Sequence, residues 1–375
     1  MVDVAAIQTP KRSWPESLCY RTFFVLVCLL LALAASAHGK ARVEGDWIVV
    51  EGEGNTLETV ARDVGNEKVF SFDEETGYAL SARSLRVVGE LAIGGEATTG
   101  SLFRFVNSLE FDVGQCGQAR IQVVSSDGGQ PRLQVENARI ATLRTDEGND
   151  ACKSEGNPIE VKAGRFILRS STVTGNFVVR VAGGEVEIAD ASVTTSNHAG
   201  VSLAGLRAKE SQISGLRSLD HQIYGMEVGP LEGPLTLVDC LIRGGGADFH
   251  VRGRAALTAL DCDFDSIRFA GQEGSVRRQW TVTVRTPGAG CRVEAESEKG
   301  AGAPERVEAT ADSSGTARLA LTEYTARADG FDYLRRGEND STPHRLTVLS
   351  PDGQTALGRL GNYRVLTRGQ EVRLP

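Results

Sequence analysis

Six segments of the chain share one alternation of apolar and polar positions: LQVENARI from 133, FILRSSTV from 166, VEIADASV from 186, LRAKESQI from 206, LTLVDCLI from 235 and LTALDCDF from 257. Each reads apolar, any, apolar, any, then Asn, Ser, Asp or Glu, then Ala, Ser or Cys, any residue, and finally Ile, Val or Phe. Alternation with period two predicts a strand with one buried face, and the polar residue after it predicts a turn. The column Ala138, Ser171, Ala191, Ser211, Cys240 and Cys262 is expected to point inward, since only small side chains recur there.

A second column runs in phase with the first: IEV at 159, VRV at 179, VSL at 201, MEV at 226, FHV at 249 and IRF at 267. Its members recur about every 22 residues, with Gly164, Gly183, Gly205, Gly229 and Gly253 at the joins. A sandwich has no reason to keep such a phase, whereas stacked coils must keep it. The fold class expected is all-β: a right-handed parallel β-helix solenoid followed by a small antiparallel β-sandwich.

Upstream, ALSARSLRVVGELAIGG (79–95), SLEFDVG (108–114) and ARIQVVSS (119–126) read as the first coils. Before them Asn55-Thr56-Leu57-Glu58 has the spacing of a capping box, with Asn55 at the N-cap and Glu58 at N3. It predicts a short amphipathic helix through about Val64 that plugs the solenoid's open end. The same stretch, VVEGEGNTLETVA, also resembles a LysM repeat, which would imply a small peptidoglycan-binding module instead. After Phe269 the period stops, and strands at 280–284, 291–297, 306–324, 344–350 and 363–375 alternate with Pro, Gly and Ser turns, the spacing of an antiparallel sandwich. Within it, ATADSSGTARLAL resembles the strand-turn of carboxypeptidase-regulatory-like, transthyretin-type domains, which are accessory modules. The expected organisation is a leader over 1–37, a cap over 38–78, the β-helix over 79–276 and the sandwich over 277–375.

The leader is read from Lys11 and Arg12, the apolar run 22–34, and the small-residue site Ala35-Ser36-Ala37. That run is short for a bilayer and no second one follows, so no transmembrane segment is expected in a mature chain that is secreted, periplasmic or at the cell surface. Loss of the leader takes the net charge from −8 to −9. An acidic chain without a basic run is a poor phosphate binder, which argues against nucleic acid as a partner. Cys116, Cys152, Cys240, Cys262 and Cys291 remain, an odd number with no Cys-x-x-Cys pair, so no metal and no cofactor are expected. Cys240 and Cys262 hold one template position in consecutive coils and are expected as free, buried thiols. Cys116 and Cys152 flank a turn and are the better candidates for a bridge.

The template, together with the turn Asn197-His198-Ala-Gly-Val-Ser-Leu, resembles the right-handed β-helix proteins that include pectate lyases, alginate lyases and polygalacturonases, over about 80–270. The resemblance implies the fold and a polysaccharide or cell-surface glycan as partner. The enzyme motifs of those families are missing: there is no Asp-Asp pair, no Gly-His-Gly, and no Arg-x-x-Pro-x-x-Arg. Asp220-His221 matches only two letters of a pectate lyase element and reads as a polar turn.

Chemistry concentrates in the outward residues of the second column: Glu160, Arg180, Ser202, Glu227, His250 and Arg268. Parallel stacking puts them in one file at about 4.8 Å per step. With His198 they form the expected glycan-binding set of Glu160, Arg180, His198, His250 and Arg268. Glu227, His250 and Arg268 on successive rungs are the candidates for catalysis. An arginine can neutralise a uronate and a histidine can remove the adjacent proton, whereas Glu160 and Glu227, roughly 14 Å apart at three strand spacings, are too distant for paired-carboxylate hydrolysis. Opposite charges on neighbouring strands also stabilise a sheet without any ligand. Two readings follow: an exported, non-catalytic β-helix scaffold presenting a solenoid face to extracellular or cell-surface glycans, or a diverged polysaccharide lyase or hydrolase acting on uronate-containing polymers.

Overall fold

The structure, a computed structural model, describes residues 40–64, 70–73, 77–80, 84–94, 102–105, 108–112, 119–124, 131–143, 159–174, 179–196, 198–297, 305–328, 333–335 and 342–374. The expected leader with its site at Ala37, residue Asn197, and the Cys116 and Cys152 pair lie outside these residues. Among the described residues no helix is long and apolar enough to cross a membrane.

Three sheets of stacked, mainly parallel strands form a β-helix-like solenoid. Sheet 1 runs from Lys40–Glu44 to Leu241–Gly244, sheet 2 from Asn55–Thr56 to Ser266–Ala270 with Tyr333–Arg335 at its edge, and sheet 3 from the hairpin Phe70–Asp73 and Gly77–Leu80 to Ser275–Arg285. Each coil visits sheet 3, turns sharply into sheet 1, passes to sheet 2 and returns: Arg165–Arg169, Thr172–Thr174, Val179–Val181, then Glu185–Ala189 on the next level. The sharp turn explains the polar template position. Asn137, Ser170, Asp190, Asp239 and Asp261 all adopt positive φ, between 46° and 55°, and Asn and Asp bear that left-handed conformation better than other side chains.

The small column is inward as expected. Ala138, Ser171, Ala191, Cys240 and Cys262 are all buried, and both cysteines are free. The Cys240 thiol donates to the Val238 carbonyl and the Cys262 thiol to that of Leu260, each at 3.3 Å. Cys240→Trp is therefore expected to lower stability by about 1–3 kcal/mol through overpacking; an unchanged midpoint in a urea melt would place the residue outside the core.

The segment LRAKESQI is the exception. Ile188 and Leu237 both pair with Ile213, not with Ala208, so the true fourth repeat is SQISGLRS at 211–218. A short 3-10 turn, Ala208–Glu210, adds five residues ahead of the strand and by chance preserves the alternation. Gly215, with φ 62°, takes the left-handed position, the fully buried Leu216 takes the small one, and Ser218 takes the place of Ile, Val or Phe. Ser211 is buried, but in another role: its hydroxyl accepts from the Val186 N–H at 3.1 Å.

Both ends of the core are closed. Helix α1 (Leu57–Val64) buries Leu57 and Val60 in the same cluster as Ile48, Val50 and Leu91. Its cap is Thr56 rather than the expected Asn55: Thr56 Oγ1 accepts from the Thr59 N–H at 3.3 Å, and Thr59 Oγ1 accepts from the Thr56 N–H at 2.8 Å. Asn55 is instead drawn into sheet 2 beside Leu91, where its buried amide donates to the carbonyls of Glu51, Gly52 and Glu90. At the other end Ser275–Arg285 runs on from sheet 3 and pairs antiparallel with Thr316–Arg327, whose Tyr324 and Ala326 join the solenoid core.

Arg278, on the last rung, is fully buried between the rings of Phe264 and Trp280, 4.6 and 4.7 Å from their centroids. It donates to the Phe264 carbonyl at 3.0 Å and lies 3.2 Å from the buried Glu323 carboxylate, which also accepts from Trp280 Nε1 at 2.6 Å. Beyond it lies a four-stranded antiparallel sheet of Arg306–Thr310, Arg292–Ser297, Pro343–Leu349 and Ala356–Arg364. Val293, Leu346 and Val348 of that sheet share a buried cluster with Val282, Val284, Leu319 and Val372.

Of the outward apolar residues on sheet 3, Ile167 is buried, flanked by ion pairs of Arg165 and Arg169 with Glu187 and of Arg169 with Glu136. Val238 stays 37% exposed, and Arg368 of the carboxy-terminal segment pairs with Asp239 at the turn beside it.

Candidate functional site

Sheet 2 carries the expected file in register. Glu160 pairs with Arg180, Arg180 with Ser202, Ser202 with Glu227, Glu227 with His250, and His250 with Arg268. The flanking Ile, Val, Leu, Met and Phe point into the core, and that fixes the outward direction of the residues between them.

The structure draws part of this file into one cluster. Glu227, only 8% exposed, accepts from the Ser202 hydroxyl at 3.3 Å, lies 3.2 Å from His250 Nδ1, and accepts from Arg252 at 2.6 Å. Burial works to raise the Glu227 carboxyl, but the hydrogen bond with His250 and the charges of Arg252 and His250 outweigh it and hold the group below the usual carboxylate range. An ionised, fully engaged carboxylate orients its neighbours and is a poor proton acceptor.

Arg268 joins through a different route. Its guanidinium meets the Tyr224 hydroxyl at 3.4 Å, and the Tyr224 ring stacks on His250 at 4.2 Å between centroids and lies 5.7 Å from His198. Among the described residues neither Arg268 nor the exposed Arg180 pairs with a carboxylate. Glu160 stands apart from the cluster and pairs with Lys162 at 3.3 Å. The result is a face with two uncompensated guanidiniums, two imidazoles and a phenol on a chain whose net charge is −8.

Two members were missed in the sequence. Arg252 was findable, because it lies two residues after His250 and period two puts it on the same face. Tyr224 was not, since it precedes the corner at Gly225 where strict alternation fails; Ala199 and Ala247, its small neighbours on the adjoining coils, leave room for its ring.

Behind the face lies a buried polar joint. The Ser196 N–H donates to His221 Nδ1 at 3.1 Å, His221 Nε2 therefore carries the proton and donates to Ser218 Oγ at 2.9 Å, and the Ser218 hydroxyl donates to the Gly225 carbonyl at 2.7 Å. Burial pushes the His221 pKa from 6.5 down to about 4, so the ring is neutral. Asp220, with φ 59°, forms the turn before it. The pair Asp220-His221 is thus a turn and a core imidazole.

No protein-family model matches the chain, and no curated protein matches it. Among solved structures, the chain is similar to a mutant of the periplasmic alginate epimerase AlgG, with 11% identity, 58% of this chain and 70% of that one covered, and a TM-score of 0.21. A likeness of that strength has no bearing on function.

Proposed function

We propose that the chain is an exported right-handed β-helix protein whose sheet 2 face binds an extended acidic glycan without cleaving it, and that 277–375 is an accessory β-sandwich. The observation that carries this reading is the pair Arg180 and Arg268, unpaired with carboxylates among the described residues, on one file and roughly 19 Å apart at four strand spacings. Glu227 is already neutralised by Arg252, so it does not repel an anionic polymer. Isothermal titration with polygalacturonate, and with neutral dextran as control, tests the reading. Binding to the first alone is expected, weakening with salt, and Arg180→Ala and Arg268→Ala should each weaken it about tenfold, roughly 1.4 kcal/mol. Equal binding by wild type and both variants would dismiss the face as the site.

One contact favours a second reading, that of a diverged polysaccharide lyase: the Arg268 guanidinium touches the Tyr224 hydroxyl beside His250, so a cation and two candidate proton carriers are adjacent. Unsaturated product, read by its absorbance during the same titration, would replace the binding reading with this one.

A further inference from the structure

We propose that His221 is an acid-sensing pin for the sheet 2 face: its neutral imidazole holds together the two segments that carry His198 and Tyr224, and its protonation lets them part. The proposal rests on the reading of that face as the binding surface, and it concerns how the surface is regulated.

The joint has no slack. Ser196, two residues before His198, is held at Nδ1, and Gly225, the residue after Tyr224, is held through Ser218 at Nε2. Main-chain bonds run alongside, from the Gln222 N–H to the Ser196 carbonyl at 2.9 Å and from the Tyr224 N–H to the His198 carbonyl at 2.8 Å. The imidazole thus links two consecutive coils. Gly200 packs so tightly on it that a methyl group there would lie 2.4 Å from Nε2.

Protonation adds the ring's second hydrogen, at Nδ1, where it faces the Ser196 N–H. Two donors then confront each other at 3.1 Å, and an attractive contact becomes repulsive. The immediate surroundings, Ser196, Gly200, Ser218 and Gly225, are neutral. Asp220, next in the chain, and the backbone of Val193 favour the proton but are outweighed by burial. The neighbouring strands add Arg243 and Asp248, 3.8 Å apart as an ion pair, and the titratable rings of His198 and Tyr224. The folded pKa of about 4 lies below the ordinary 6.5, so the unfolded or opened form takes up the proton first. The joint is intact above about pH 6.5 and loosens as pH falls towards 4.

Amide hydrogen exchange tests this without any ligand. The protection factor of the Ser196 amide is expected to fall at least about tenfold between pH 6.5 and pH 4, a difference of roughly 1.4 kcal/mol, while that of Val173 in the same sheet holds. His221→Gln, whose side-chain oxygen can accept from Ser196 and whose nitrogen can donate to Ser218, should keep Ser196 protected across the range. A flat wild-type profile, or a Gln variant that loosens alongside it, would overturn the proposal. Should the variant not fold, the wild-type imidazole resonance decides: its titration must coincide with the shift of the Ser196 amide, and separate midpoints reject the pin. Polygalacturonate titration at pH 6.5 separately tests the binding reading, so the two failures are distinguishable.

Discussion

Replacing Arg278 by methionine is expected to cost about 3–5 kcal/mol, among the largest single-residue effects in the molecule. Methionine keeps most of the volume between Phe264 and Trp280 but leaves the Glu323 carboxylate, 6% exposed, without its cation. A buried charge whose partner has gone is far worse than a buried pair or no pair at all. The double variant Arg278→Met, Glu323→Gln should therefore recover most of the loss, because the amide oxygen can still accept from Trp280. Urea melts of the wild type and both variants check this. Equal losses in single and double variants would mean that packing, not charge, holds this end of the solenoid.

Gly200→Ala is expected to destabilise by about 3 kcal/mol, combining overpacking with the loss of a buried hydrogen bond. An added Cβ would lie 2.4 Å from His221 Nε2 and 2.5 Å from Ser218 Oγ; the ring is held at Nδ1 by the Ser196 N–H, and Ser218 Oγ by the Gly225 carbonyl. Gly288 has no atom within 4 Å of an added Cβ and no positive φ, so Gly288→Ala serves as the neutral control. Thermal melts of the two variants should differ by several degrees. Indistinguishable curves would show that the joint behind sheet 2 yields easily, which would also weaken the case for His221 as a pin.

What the sequence revealed and concealed follows from what sets each feature. The outward file from Glu160 to Arg268 was legible pair by pair, since parallel strands in a coil keep register and the buried neighbours fix which way each side chain points. The left-handed turn at Asn137, Asp190, Asp239 and Asp261 was legible for a local reason, the tolerance of short polar residues for positive φ. The fourth coil was not, because an inserted 3-10 turn imitates the alternation it displaces, and only pairing with Ile188 and Leu237 reveals the shift. Thr56 displaced Asn55 as the helix cap because Asn55 is claimed by a strand pairing 36 residues away in the chain, with Leu91. Arg278 and Glu323 meet only because Thr316–Arg327 returns along Ser275–Arg285, a long-range pairing with no local signature. At the candidate site the charges were visible and their pairing was not: Glu227 is spoken for by Arg252 and His250, and Arg268 turns to Tyr224.

The most direct test of the proposed function is a crystal structure of the protein grown with a short oligogalacturonate at neutral pH. The account predicts a sugar chain lying along sheet 2, with its carboxylates against the guanidiniums of Arg180 and Arg268 and one edge beside Tyr224 and His198. A chain bound at the turns between sheets 3 and 1, or on the carboxy-terminal four-stranded sheet, with sheet 2 bare, would contradict it.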